Sequence, residues 1–173
     1  MAQQDRNRRS FGAITGRTIR DRSELERPRQ RQVFDYWQSL KRENRVAYED
    51  FDILKIPGPL WPYLTVIEPR PDGDFYFRIS GGHIELNNGY GITRTLLSSH
   101  PIEAKERLSG ILNEALTADA PFCSRGAYVE HDVQYRRIER LLLPMVRRRT
   151  GMRLLLGVIE FQIEDMEAVQ EAG

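Results

Sequence analysis

Met152–Gln162 reads MRLLLGVIEFQ. Leu154, Leu155, Leu156, Val158, Ile159 and Phe161 put apolar side chains on both sides of a period-2 alternation. A strand with one wet face alternates apolar with polar, so this stretch predicts a central strand covered on both faces. Just upstream, Val133–Val146, VQYRRIERLLLPMV, is a second strand candidate. The link between them, Arg147–Gly151 or RRRTG, is charged and ends in glycine, which predicts an antiparallel hairpin. The rest of the chain reads as layers added to that hairpin.

Working outward, Tyr63–Glu68 (YLTVIE) and Asp74–Ser80 (DFYFRIS) flank the turn signal Pro69–Gly73, PRPDG, and form a second hairpin. Alternation places Phe75, Phe77 and Ile79 on one face, with Tyr76 and Arg78 on the other. Ala47–Leu60 holds a short helical turn around Phe51–Ile56, after which Pro57, Gly58, Pro59 and Pro62 break regularity. Leu60 and Trp61 are expected to plug the edge of the core. Gly81–Ile92, GGHIELNNGYGI, allows a helical turn at His83–Asn87, and the connector Thr93–Ser99 buries Leu96 and Leu97. Ser98 or Ser99 is placed to cap a helix over Pro101–Thr117, striped by Ile102, Leu108, Ile111, Leu112, Ala115 and Leu116. A third strand over Ala120–Val129, bulged at Gly126, leads through His131–Asp132 into the opening hairpin. Near the start, Pro28 opens an amphipathic helix to about Arg42, with Val33, Tyr36, Trp37 and Leu40 at helical spacing and Phe34 beside them. Strands in runs separated by a helical block predict an α+β domain, an antiparallel sheet with helices gathered on one face.

The 173 residues bound this to one domain with tails: a basic arm over 1–27 expected to be mostly disordered, a domain over 28–162, and an acidic tail over 163–173, read as a short helix. Residues 1–32 hold nine arginines against four carboxylates, a net of +5. The rest of the chain, whose total is +1, then carries −4. No apolar run approaches the roughly 20 residues of a membrane span. The N-terminus MAQQDRNRRSFG lacks a signal-peptide core, which makes the expected location cytoplasmic. One cysteine and three unpaired histidines exclude a disulfide framework and argue against a metal site.

The order of these segments resembles the PAS domain family. The segments that carry the resemblance are VFDYWQSL (33–40), DFDILKIPGPLWPYLTVIE (50–68), FYFRISGGHIELNNGYGITRTL (75–96), ERLLLPM (139–145) and LLGVIEF (155–161). It is similar to short stand-alone bacterial PAS proteins of the alphaproteobacterial type that carry an N-terminal helix. The resemblance implies a five-stranded sheet ordered 2-1-5-4-3, half enclosing a small cavity. One departure is the Gly81-Gly82-His83 corner, where a Gly-Thr-like pair is expected. Haem-binding members place an axial histidine on the long helix, and Pro101–Thr117 has none. The covalent flavin and coumarate contexts for a reactive cysteine do not match Cys123, so both cofactor classes are disfavoured.

What remains is a non-covalent small ligand, or a cavity filled by the chain's own side chains. Candidate walls are Phe77, Ile79, Ile84, Leu97, Ile111, Leu112, Ala115, Phe122, Leu141 and Leu143, with Arg78, Tyr128, Tyr135 and Arg137 as polar contacts. These choices depend on register, because a one-residue slip turns each side chain to the other face. Val33, Tyr36, Trp37 and Leu40 are the candidate homodimer interface, with packing on the chain's own sheet as the alternative. No enzyme signature survives: Cys123 reads as a small core residue and His83 and His100 as turn or cap residues. The expectation is a non-catalytic signalling or sensor module acting on signalling partners. The alternative is a nucleic-acid-associated regulator using the arginine-rich arm.

Overall fold

The computed structural model describes residues 9–11, 14–100, 105–130 and 134–165. Its strands are β1 (Arg9–Phe11), β2 (Thr15–Thr18), β3 (Leu64–Pro69), β4 (Phe75–Ser80), β5 (Thr95–Leu96), β6 (Phe122–Glu130), β7 (Gln134–Val146) and β8 (Arg153–Asp165). The helices are α1 (Pro28–Ser39), α2 (Gly82–Asn88) and α3 (Lys105–Ala118). All eight strands join one antiparallel sheet, in the order β1-β6-β7-β8-β3-β4-β5 with β2 also on β6. Counted in chain order among the five longest strands, the path reads 2-1-5-4-3.

Strand β8 is central and buried without interruption from Leu154 to Glu160. Alternate residues feed two cores. Leu156 and Val158 join Leu141, Leu143, Met145, Leu64 and Val66 under α1, whose Val33, Phe34 and Trp37 close that face. Leu155 and Ile159 join Leu142, Ile67, Phe75 and Phe77 under α2 and α3, through Ile84, Ile111, Leu112 and Ala115. The second face of the central strand is therefore covered by the chain's own helix. Val33 and Trp37 are 0% and 3% exposed inside one chain. The Trp37 indole N–H also donates to the Pro144 carbonyl at 2.9 Å, and the Tyr36 hydroxyl bonds the Asp52 backbone. Leu40 packs against the same core. Of these four residues, expected at a homodimer interface, Val33 and Trp37 are buried inside one chain, while Tyr36 and Leu40 pack against the same core half-buried.

Four further expectations change. The arm was expected to be disordered, yet Thr15–Thr18 pairs with Arg125–Phe122, and Ile19 and Leu25 are buried in the core under α1. An Asp21 capping box with Glu24 turns the chain from that strand toward α1. The bulge expected at Gly126 is absent, since β6 and β7 pair in unbroken register. The irregularity sits in β4: Val66 pairs with Ile79 and Ile67 with Phe77, which leaves Arg78 as the extra residue. Trp61 is 38% exposed rather than a core plug, whereas Leu60 beside it is buried. Strand β8 runs to Asp165, past the expected start of the tail. The helix start at Pro101, the turn at His131–Asp132, and residues 166–173 lie outside the described residues.

Candidate functional site

Between the sheet and the α2–α3 layer lies a cavity of about 90 Å³. Its floor is sheet: Thr65 and Ile67 of β3, Phe77 of β4, Gly126 and Ala127 of β6, Ile138, Arg140 and Leu142 of β7, Ile159 and Phe161 of β8. Its roof is Ile84 and Asn88 of α2, Ile92 of the following loop, and Leu108 and Leu112 of α3. Ile14, from the arm, closes one side. Gly126 and Ala127 keep this part of the floor low. Gly126 has no side chain, and a Cβ there would come within 3.3 Å of Ile14 Cγ1 and 4.0 Å of Arg140 Nη1. The lining is mostly apolar; the polar side chains are Thr65, Asn88 and Arg140. The Thr65 hydroxyl is committed to the Ile79 carbonyl at 2.8 Å.

Of the candidate walls, Phe77, Ile84 and Leu112 line this space. Leu97, Ile111, Ala115 and Phe122 belong to the same core but stand behind the lining. Leu141 and Leu143 face α1 instead, because the strand register is offset by one and Leu142 is the leucine that points to the cavity. Ile79 joins the α1 face too, since the Arg78 bulge reverses the alternation after Phe77. Arg78 pairs with Glu68, away from the cavity. Arg137 shares the parity of Leu141 and is exposed. The side chains of Tyr128 and Tyr135 lie outside the described residues. The residues missed in sequence, Ile138, Arg140 and Leu142 among them, follow at period 2 once Leu142 is chosen as the inward leucine. Three consecutive leucines gave no sign of which one that was.

The roof helix α2 is tied down at its ends. The His83 ring lies 4.4 Å from the Tyr63 ring and 5.7 Å from Phe161, and its Nε2 accepts the Phe161 N–H at 3.3 Å. Burial, then the nearby Arg29 charge, holds His83 below its ordinary value, which suits a neutral acceptor. Asn87 Oδ1 accepts from Arg136 Nη1 at 3.1 Å, joining α2 to β7. Glu85 Oε1 accepts the N–H groups of Ile92 and Thr93, and so holds the loop that carries Ile92. Gly81 begins this segment where a Cβ would stand 2.3 Å from the Pro62 carbonyl oxygen, so the corner admits only glycine. His100 closes the 3-10 turn Leu97–Ser99, its N–H donating to the Leu97 carbonyl at 3.2 Å, and its buried ring stacks on Tyr90 with Thr95 Oγ1 at its Nε2.

The other polar features are structural. Burial pushes the Cys123 thiol up to about 11, against what a nucleophile needs. Arg17, Arg22, Arg27 and Arg29 hold Glu24, Asp35, Glu139 and Glu160 of the same chain, so part of the arm's positive charge is satisfied internally. Among the described residues, no group of three or more His, Cys, Asp or Glu could hold a metal ion. No helix among them is long and apolar enough to cross a membrane.

A twisted antiparallel sheet half enclosing a small cavity under short helices defines a class of α+β sensory domain. A family model described as PAS domain matches residues 25–160, and the chain belongs to the PAS domain family. PAS domains are signalling and sensor modules and are generally non-catalytic. No curated protein matches the chain.

Proposed function

We propose that this chain is a PAS sensor that acts through protein–protein contact, with the state of its apolar cavity deciding how it meets its partners. The observation that carries this reading is the placement of α2. Ile84 and Asn88, four residues apart, face the cavity, while Leu86 on the same short helix is 82% exposed. One exposed leucine is ordinary by itself; here it marks the side of the seven-residue helix that turns away from the cavity, so a movement felt at Ile84 and Asn88 is carried to the surface. Occupation of the cavity presses on Ile84 and Asn88. It thereby shifts the population of α2 positions and changes how Leu86 is presented. The occupant is small and non-covalent: about 90 Å³ is well below the pockets of roughly 300 Å³ and more that hold drug-sized molecules or larger cofactors.

Native mass spectrometry of freshly purified protein, with a denatured control, tests the reading. Added mass that disappears on denaturation is the expected result, together with hydrogen exchange that slows in 82–92 when the ligand is present. Unchanged exchange in α2 between loaded and empty protein would refute the coupling. The same spectra give the oligomeric state.

A further inference from the structure

We infer that a second pocket, on the α1 side of the sheet, takes a small neutral primary amide, which pairs with the side-chain amide of Gln30. The site is separate from the cavity under α2 and α3 and goes beyond the sensor reading. The pocket holds about 170 Å³. It is bounded where residues 15–18 pair with β6 and the chain then turns through the Asp21–Glu24 capping box into α1. Its walls include Thr15, Arg17 and Leu25 of the arm, Gln30 of α1, Cys123 of β6 and Glu139 of β7. Gln30 is 3% exposed, and its side chain makes no hydrogen bond among the described residues. As the third residue of α1 it could turn back to the Arg27 N–H in a capping box, but that bond is not made. Its amide is not sealed off by neighbouring atoms either, so it meets the open space of the pocket. A buried amide without a partner is costly and marks a place where a polar group is missing.

The walls select a neutral ligand with a donor beside an acceptor. The charges that face the pocket are already matched: Arg17 holds Glu24 at 2.7 Å, and Arg125 holds Glu26 at 2.8 Å and Glu139 at 3.3 Å. The remaining charged residue of the wall, Arg140, reaches with Nη1 toward Gly126 on the other face of the sheet. An ionic ligand would have to take a partner from one of these pairs and leave its mate uncompensated. A glutamine side chain presents N–H donors and a carbonyl acceptor side by side in one plane. A primary amide returns the same pattern reversed and closes two parallel hydrogen bonds. A carboxylate only accepts and an ammonium only donates, so each leaves half of Gln30 unmatched. A cavity of about 150 Å³ is enough for benzene, and about 170 Å³ therefore admits an amide carrying a few carbon atoms. A ligand here touches the arm and α1 at once, and so ties residues 15–26 to the body of the domain.

The experiment is titration of the full chain with acetamide, N,N-dimethylacetamide, acetate and ethylamine, followed by ligand-observed NMR and hydrogen exchange. Acetamide is expected to bind saturably and to slow exchange in 15–30. Dimethylacetamide keeps the carbonyl and lacks the N–H donors; it, acetate and ethylamine should each bind at least tenfold more weakly. Gln30→Met keeps the length of the side chain and removes both polar groups, and should weaken acetamide at least tenfold. The comparison of probes on the wild type decides the matter if that variant does not fold. Equal binding of acetamide and any one of the other three would overturn the inference, as would full acetamide affinity in Gln30→Met. Slowing confined to 82–92 would put the amide in the other cavity and overturn the site. Absence of acetamide binding would leave the pocket to water and overturn it too. None of these results would refute the sensor reading.

Discussion

Gly157→Ala places a methyl group at a crowded point in the middle of the sheet. Gly157 lies in β8 opposite Thr65 of β3 and Leu142 of β7. A Cβ there would stand 2.6 Å from Thr65 Cγ2 and 3.5 Å from Leu142 Cδ2. Carbon atoms rest at roughly 3.5–4.0 Å, so one side has to yield by about 1 Å. Neither strand can retreat without opening ladders on both of its neighbours. Overpacking of this kind costs about 1–3 kcal/mol. Thr65→Ser removes the obstructing methyl and keeps the hydroxyl that bonds the Ile79 carbonyl. Alone it should cost about 0.5–1.5 kcal/mol, as for loss of one buried methyl. In the double variant the two changes compensate, and the coupling should reach about 1 kcal/mol or more in the stabilising direction. Urea unfolding of the four proteins measures it, provided the m-values agree. Effects that add to within about 0.5 kcal/mol, with Gly157→Ala destabilising, would refute the steric argument.

Trp37→Phe removes the buried hydrogen bond to Pro144 and should cost about 1–3 kcal/mol. It should leave the mass in light scattering unchanged; a change in assembly would show that the ring serves an interface. At Glu68, burial opposes ionisation, yet hydrogen bonds from Arg78 and Arg147 outweigh it and hold the carboxyl below its ordinary value. A carboxyl depressed in the folded state stabilises at pH above its unfolded value of about 4.5 and loses that contribution as pH falls through the folded value. Glu68→Gln should accordingly flatten the acid limb of stability against pH below about 4.5, and an unchanged limb would count against the pairing. Cys123, titrating near 11 against an ordinary 9.0, should alkylate at pH 8 about a hundredfold more slowly in the folded chain than in urea. Comparable rates by mass spectrometry would mean that the thiol is not buried as described.

Features written in side-chain chemistry were legible from sequence: the two hairpins, the glycine at the end of RRRTG with φ of +71°, the start of α1 at Pro28, and the double burial of the last strand. Features set by position along a strand were not. The run Leu141–Leu143 is apolar at every step, so alternation could not tell the floor of the cavity from the underside of α1. Arg78 looks like an ordinary outward residue, and only its pairing shows that it is the bulge that sends Ile79 to the other face. The arm escaped for a related reason. Its strands are held by backbone pairing to β6, and Ile14, Ile19 and Leu25 are too far apart to make a period. Removing residues 1–27 would therefore strip two core side chains along with the arginines. Such a deletion confounds a test of nucleic-acid binding with loss of fold.

The central place of β8 also governs when this protein can fold. Strands β3, β4 and β5 form one piece of sheet and β6 and β7, with the arm, another; only β8 joins them. Leu64 finds its partner Val158 across 94 residues of chain. Long loops of this kind are closed late and slowly. During synthesis, residues 64–146 can form hairpins and helices, but both cores stay open until residues 153–165 have left the ribosome. For that interval the facing edges of β3 and β7 are unpaired and apolar, open to any other strand. The nascent chain therefore depends most on chaperones in the interval before β8 emerges.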